Sequence, residues 1–256
     1  MSTFDGQLPG TSERAWQECA WLRAAPELET LTGTRLVVLS AHPDDETLGA
    51  AGLIGLAADT GLDVHVIVAS DGAGSHPRSR THSPARLAAL RKNEVADAMA
   101  TLAPQATLEF LGLPDGELAA HAGELCTALR RACSGDTVLL APWAHDRHPD
   151  HEACARAARA VVAAEPGIEL LEFPIWAWHW AARQELAELD PEAAATRRLT
   201  LGAERRERKQ AAIACFPSQI QPLSADAGDE AVVGPDSLAY FARDFECFLV
   251  ITPAGT

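Results

Sequence analysis

Basic residues are scarce in this 256-residue sequence. Lysine occurs only twice, and lysine and arginine together number 21 against 36 aspartates and glutamates, which gives a formal net charge of −15. Proteins that bind nucleic acid need a basic surface to meet the phosphates, and anionic membranes attract basic segments for the same reason. The sequence therefore predicts neither nucleic acid nor a membrane as a partner, and it leaves a homo-oligomer open.

Long apolar runs, a leader peptide and paired cysteines are absent as well. No apolar run reaches the roughly 18 residues that a transmembrane helix needs. The first thirty residues contain no basic segment followed by an apolar one, so we expect no signal peptide. Six cysteines lie scattered without CxxC spacing, which is typical of reduced thiols. Together these absences predict a cytoplasmic protein.

Short β-branched runs alternate along the chain with longer Ala- and Leu-rich stretches of helical period. Strands are predicted at 35–40, 63–70, 107–111, 137–141 and 168–173. Helices are predicted at 12–25, 46–60, 83–103, 117–133 and from about 150 to 164. Because strand–helix alternation builds βαβ units, the sequence predicts an α/β fold with a mostly parallel sheet that is covered on both faces.

The pattern loosens after residue 175. Trp176, Trp178 and Trp180 alternate, which predicts one face of a strand. The segments that follow are predicted as a strand at 197–201, a helix at 203–215, a loop at 224–236 and a last helix or helix–strand piece at 238–250. We interpret residues 173–256 as an elaboration of a single domain, 1–256, whose core spans about 35–172.

Two of the predicted strands are each followed by an unusual concentration of histidine and carboxylate. Ala41-His42-Pro43-Asp44-Asp45-Glu46 comes directly after the first strand, and the segment 145–152 follows the fourth. In parallel sheets, ligands bind beyond the carboxyl ends of the strands, so we expect the two segments to share a cleft. His148 and His151 are three residues apart, which lets one helical turn aim both side chains into it.

The residue types in these segments are those of a zinc site. Imidazole nitrogen and carboxylate oxygen suit a borderline divalent metal, and a catalytic zinc ion takes three protein ligands while one position stays open for water. Asp44 and Asp45 are adjacent and cannot point the same way, so one can bind the metal while the other faces the water. A single segment of this kind is more often a capped turn, but two of them at strand ends favour a metal site.

The two segments resemble the motifs of the PIG-L/LmbE-like family of zinc-dependent N-acetylglucosamine deacetylases. The resemblance covers about residues 35–172. It implies a Rossmann-like three-layer sandwich and one Zn²⁺ per chain, with another divalent metal such as Fe²⁺ as the alternative. It also implies that His42, Asp45 and His151 are the zinc ligands.

Catalytic roles follow from the same resemblance. Asp44 would be the general base that deprotonates the attacking water. His148 would stabilise the oxyanion in its protonated form or protonate the leaving amine, with Asp150 orienting it. One departure concerns Asp146, which stands where some members of the family carry a tyrosine that assists catalysis.

Further matches lie in the loops around the predicted cleft. Asp71 opens a family loop after the second strand, and Arg91 begins an R-x-x-E pattern that shapes the substrate side in the family. Trp143 either stacks on a sugar or lies in the core. The loop 71–83 either closes over the substrate or is solvated. We therefore expect Arg91, Asp71 and Trp143 to bind substrate.

The expected function is hydrolysis of the acetamide group of a small N-acetylglucosamine-type glycoconjugate. A metal-dependent hydrolase of another N-acyl amine or of a phosphoester is the alternative, and a non-catalytic metal- or glycan-binding module is a weaker one. Asp-rich phosphoesterase sites use two metals about 4 Å apart, so the number of metals per chain separates the enzyme alternatives. A pure binding module would need neither Asp44 nor His148.

Overall fold

A single sheet of seven strands forms the centre of the computed structural model, which describes residues 10–28 and 31–252. The ends of the predicted domain, 1–9 and 253–256, lie outside the described residues. The strands are β1 Arg35–Ser40, β2 Asp63–Ser70, β3 Thr107–Leu113, β4 Thr137–Pro142, β5 Glu169–Phe173, β6 Ala193–Thr200 and β7 Phe245–Ile251.

The order of the strands is β3-β2-β1-β4-β5-β7-β6. The first five pair in parallel, and β7 pairs antiparallel with both β5 and β6. β1 and β4 are neighbours at the middle of the sheet and are buried along almost their whole length, as parallel strands covered on both faces must be. The mostly parallel sheet is therefore confirmed.

Helices flank this sheet in two groups. The helices are α1 Glu13–Gln17, α2 Ala20–Ala24, α3 Asp45–Asp59, α4 Pro84–Leu102, α5 Ala122–Ala132, α6 Pro149–Ala164, α7 Ala177–Trp180, α8 Ala203–Ile213, α9 Pro217–Ile220 and α10 Pro235–Phe241. α3, α4 and α8 contact one another, and α5 contacts α6. The predicted three-layer α/β fold is confirmed. Within the described ranges, no helix is both long and apolar enough to cross a bilayer.

Local sequence signals place the start of α4 correctly. Ser83 caps α4 by accepting a hydrogen bond from the backbone N–H of Arg86, and Pro84 occupies the first helical position.

The helix predicted over 12–25 is instead broken into α1 and α2, because Cys19 is extended. The break lets the indoles of Trp16 and Trp21 donate to separate backbone carbonyls of the segment 178–183.

The strand predicted from the alternating tryptophans is wrong. Residues 177–180 form the short helix α7, and three backbone N–H groups at its start all donate to the carboxylate of Asp146. That acceptor lies far away in sequence, so periodicity alone could not reveal it. The last predicted element is confirmed in its helix–strand form, as α10 followed by β7.

Candidate active site

The loop between β1 and α3 carries the first predicted motif in a strained backbone. Asp44 has φ 120°, a conformation that residues with side chains rarely adopt. Glu46, which is fully buried, accepts hydrogen bonds from Ser40 Oγ and from the backbone N–H of Asp44, and Arg91 Nη2 donates to the carbonyl oxygen of Pro43. These contacts fix the loop. In it, Asp45 Oδ2 approaches His42 and His151, and Asp44 lines a cavity that is described below.

The three predicted metal ligands converge on one point. Asp45 Oδ2 lies 3.4 Å from His42 Nδ1 and 3.3 Å from His151 Nε2. His42, Asp45 and His151 are all buried, and His151 Nε2 has no hydrogen-bond partner among the described residues. A buried imidazole nitrogen with an unused lone pair beside a carboxylate is the donor arrangement that a divalent cation requires. The residues therefore fit a metal, and His148 lies close enough to offer a further ring nitrogen.

His42 and His151 each have one ring nitrogen near Asp45 and a carboxylate beside the second ring nitrogen. His42 Nε2 lies 3.2 Å from both Asp115 Oδ1 and Asp150 Oδ2, and His151 Nδ1 lies 2.7 Å from Asp146 Oδ2. Carboxylates in these positions fix which nitrogen faces a metal. Sequence reasoning missed Asp115 and Asp146 in these roles. The only local signal for Asp115 is its place in Pro114-Asp115-Gly116, a sequence typical of a tight turn.

The predicted role of Asp150 needs correction. Its carboxylate accepts hydrogen bonds from the backbone N–H groups of Gly116 and Leu118 and lies against His42, so it holds His42 and not His148. Contact with His148 comes instead from the Asp150 backbone N–H, which donates to His148 Nδ1 over 3.3 Å. This bond leaves the proton of a neutral His148 on Nε2.

Burial shifts the pKa values of the two residues expected to act on the substrate, Asp44 and His148. Burial raises the pKa of Asp44 to about 8, even though the nearby Arg91 guanidinium lowers it. Burial and the charges of His151 and His42 lower the pKa of His148 to about 3. A pKa of about 3 favours the neutral imidazole of His148 at pH 7, whereas a protonated one was expected from the sequence. A bound cation would favour ionised Asp44 and keep His148 neutral, because both respond to positive charge.

A cavity of about 210 Å³ opens above these residues. Its polar side carries Asp44, Arg91, Asp115 and His148 beside the predicted ligands. Its apolar side is formed by Leu48, Ile175, Trp176, Val232 and Val233. A hollow of about 350 Å³ adjoins it and shares Ser75, His148, Trp176 and Val232 with it. The cavity therefore combines apolar surface with groups that can bind a metal and move a proton.

The residues predicted to bind substrate lie in three different settings. Arg91 lines the cavity, although it is 3% exposed and donates to the carbonyl oxygens of Gly72 and Pro43. Asp71 shapes its own loop by accepting from the Ala73 backbone N–H. Trp143 is fully buried and donates from Nε1 to Asp190, so its ring has no free face for a sugar. The core alternative for Trp143 is the correct one.

The loop 71–83 is fastened to the segment 224–230. Asp229 accepts hydrogen bonds from Thr81 and Ser224, and His76 Nε2 lies 3.1 Å from the carbonyl oxygen of Glu230. The two segments together form a wall of the adjoining hollow.

Comparison with known proteins agrees with this geometry. The family model described as PIG-L, GlcNAc-PI de-N-acetylase, matches residues 37–162, which contain both motifs. Residues 37–162 are a PIG-L family domain. No curated protein matches the chain in sequence.

Solved structures that resemble this chain include deacetylases. N,N'-diacetylchitobiose deacetylase from Pyrococcus horikoshii is 19% identical over 82% of this chain and 80% of its own, with a TM-score of 0.57. The zinc-inhibited form of teicoplanin deacetylase Orf2 is 18% identical over 86% and 99%, with a TM-score of 0.63. A conserved protein from Thermus thermophilus is 25% identical over 89% and 97%, with a TM-score of 0.60. The fold is therefore that of the LmbE-like deacetylases.

Proposed function

We propose that this protein is a metal-dependent amide hydrolase that removes the acetyl group from an N-acetylglucosamine-type unit of a small glycoconjugate. The observation that carries the proposal is the position of Asp44. Asp44 lines the same cavity as His42 and Asp45, and the side-chain atoms of these two converge with His151 Nε2. A base adjacent to a metal site, in a cavity large enough for a sugar amide, is the arrangement that amide hydrolysis requires.

His42, Asp45 and His151 would hold the metal, for which we propose one Zn²⁺ per chain. When bound, the cation supplies Lewis acidity toward the amide carbonyl and makes water a better nucleophile near neutral pH. The lone pair of His151 Nε2 supports this assignment, because the described part of the chain offers it no hydrogen-bond partner.

Asp44 would act as the general base. It takes a proton from the attacking water while the water oxygen bonds to the carbonyl carbon of the acetamide. The carbon–nitrogen bond then breaks, and the nitrogen receives the proton, so acetate and a free amine leave. Arg91 lies 3.4 Å from Asp44 Oδ2 and favours the ionised form in which Asp44 can accept that proton.

His148 would stabilise the oxygen that becomes negative. Because its Nδ1 accepts from the Asp150 backbone, a neutral His148 carries its proton on Nε2 and can donate it in a hydrogen bond. A donor already in place where charge develops lowers the barrier without reorganisation. Asp115 and Arg91 on the polar wall would meet hydroxyl groups, and Trp176 on the apolar wall would meet the face of the sugar ring.

The deciding experiment measures acetate and free amine released from a panel of substrates. The protein is stripped of metal, reloaded with Zn²⁺ or Fe²⁺, and incubated with N-acetylglucosamine, N,N'-diacetylchitobiose and inositol- or lipid-linked N-acetylglucosamine. We expect release from at least one of them, and none after the metal is removed. Metal-loaded, folded protein that releases nothing from any of them would overturn the proposal.

Two outcomes would point to the alternatives instead. Hydrolysis of a phosphoester together with two metals per chain would identify a phosphoesterase. Tight binding of a glycan without turnover would identify a binding module. We also propose a cytoplasmic location, which is supported by the six cysteines, all of them unpaired.

A further inference from the structure

Asp146 is a fully buried carboxylate outside the predicted ligand set, and each of its oxygens has two polar neighbours. Oδ1 accepts from the backbone N–H groups of Ile175 and Ala177, over 3.1 and 2.8 Å. Oδ2 accepts from the Trp176 backbone N–H over 3.0 Å and lies 2.7 Å from His151 Nδ1. Four neighbours around one carboxylate use every lone pair that it offers.

The surroundings of Asp146 determine the tautomer of His151. Three backbone N–H groups can only donate, so the carboxylate is held in its acceptor form and His151 Nδ1 must carry the proton. The lone pair is then on Nε2, which is buried without a hydrogen-bond partner among the described residues and lies 3.3 Å from Asp45 Oδ2. Nε2 is therefore the nitrogen that is available to a metal.

The same carboxylate also fixes a wall of the cavity. The N–H groups that it accepts from belong to residues 175–177, and Ile175 and Trp176 line the cavity. Asp146 is thus joined on one side to the histidine that is expected to bind the metal and on the other to the backbone that faces the substrate.

We propose that Asp146 is a positioning residue with two linked effects. It fixes the Nδ1–H tautomer of His151 for metal binding, and it ties that histidine to the cavity wall at 175–177. The inference rests on the metal site of the proposed function and is independent of the identity of the substrate. Because Asp146 is fully buried, it acts through His151 and the backbone of 175–177.

The test compares Asp146→Asn with Asp190→Asn. Asparagine presents an NH₂ group either to His151 or to the backbone donors of Ile175 and Ala177, so at least one set of bonds is lost. Asp190 is a similarly buried aspartate that accepts from Trp143 and Arg159, neither of which is a predicted metal ligand. Asp190→Asn therefore controls for the general loss of a buried carboxylate.

Zinc affinity is the first measurement, made by competition with a chelator. We expect the dissociation constant of Asp146→Asn to rise by about 10–100-fold, and that of Asp190→Asn to stay within about twofold of the unmodified protein. Equal affinities of Asp146→Asn and the unmodified protein would overturn the inference. Because the readout is metal binding, it remains decisive even if no substrate of the panel is deacetylated.

A second measurement needs no variant and so does not depend on whether Asp146→Asn folds. In the zinc-loaded, unmodified protein, long-range ¹H–¹⁵N NMR of His151 should show a proton on Nδ1 and zinc on Nε2. The Nδ1 proton should exchange slowly with water, since it is buried against Asp146. Zinc on Nδ1, or a proton on Nε2, would refute the role proposed for Asp146.

Discussion

Arg91 Nη2 lies 3.4 Å from Asp44 Oδ2 and also donates to the carbonyl oxygen of Pro43, in the same loop. One guanidinium therefore holds both the carboxylate expected to act as the base and the backbone that presents it. The other arm of the guanidinium, Nη1, donates to the carbonyl oxygen of Gly72. Lysine could supply the charge but not donors in this fixed fork.

Replacement of Arg91 tests this link. Arg91→Met removes a nearby positive charge, so the pKa of Asp44 should rise and the acidic limb of the activity profile should move to higher pH. At pH values below the pKa of Asp44, each unit of movement lowers kcat/KM by about tenfold. The measurement is the pH dependence of kcat/KM, with Arg91→Lys as the variant that keeps the charge. If the pH profile of Arg91→Met did not move, Arg91 would not influence the pKa of the catalytic base.

Substitutions of Asp44 and His151 should distinguish the base from a ligand. Asp44→Asn is expected to keep one metal per chain and to lose about 10²–10⁴-fold in kcat, the usual contribution of a general base. His151→Ala is expected to lose the metal itself. Metal content by inductively coupled plasma analysis, measured beside kcat, distinguishes the two. Near-normal turnover in Asp44→Asn would show that another group takes the proton.

Metal binding should depend strongly on pH. Burial lowers the pKa of His42, but hydrogen bonds to Asp115, Asp150 and Asp45 outweigh burial and raise it well above its ordinary value. Burial also lowers the pKa of His151, but Asp45 and Asp146 raise it overall. Both protons must leave before a metal binds, so zinc affinity should rise with pH, by up to about 100-fold per unit for two protons. Chelator competition between about pH 6 and 8 measures the slope, and a flat profile would contradict it.

The stability of the metal-free protein should change in the opposite direction. A histidine whose pKa is raised by folding contributes stability below its unfolded pKa of about 6.5, and this stability is lost as pH rises through the folded pKa. The free energy of unfolding contributed by His42 and His151 should therefore fall above about pH 6.5. Urea unfolding in the presence of a chelator measures this change, and the zinc-loaded protein is the control.

The buried ion pair Lys209–Glu246, which also contacts the backbone of α3, should contribute strongly to the free energy of unfolding. Lys209 Nζ lies 2.8 Å from Glu246 Oε1 and donates to the Leu48 carbonyl, while Glu246 accepts from the backbone N–H groups of Gly52 and Leu53. Lys209→Met leaves the carboxylate buried without its cation and should lower the free energy of unfolding by about 3–5 kcal/mol. Urea unfolding measures the loss. The matched double variant Lys209→Met, Glu246→Gln should recover part of it.

Two tryptophans near the site should respond differently to substitution. Trp143→Phe removes the donor to the buried Asp190, so it should lower stability by about 1–3 kcal/mol and leave KM unchanged. Trp176→Ala removes apolar surface from the cavity wall and should raise KM. Steady-state kinetics and urea unfolding of both variants separate these effects. A raised KM in Trp143→Phe would show that Trp143 contributes to substrate binding after all.

Most of the sheet could be predicted from the sequence because buried parallel strands are short apolar runs. Leu36 to Leu39 of β1 are completely buried. A short, continuous apolar run of this kind is typical of a parallel strand that is covered on both faces. The motifs after β1 and β4 could be placed in one cleft for a similar reason, since carboxyl ends of parallel strands meet at one edge.

The partners of the site residues could not be predicted, because they depend on contacts between distant segments. Asp146 reaches the backbone of 175–177, and Asp150 reaches Gly116 and Leu118. No local pattern specifies such pairings. The alternation of Trp176, Trp178 and Trp180 was misleading for the same reason, since the short helix there forms against a distant carboxylate.

The pairing of β1 with β4 has a consequence for the order of assembly. The strands lie side by side, yet β2, α4, β3 and α5 all come between them in the chain. His42 and Asp45 therefore cannot converge with His151 until that whole intervening segment has been synthesised. A contact of such long range forms slowly, because loop-closure entropy opposes it. The emerging chain thus presents an incomplete ligand set, which is completed only when β4 has paired with β1.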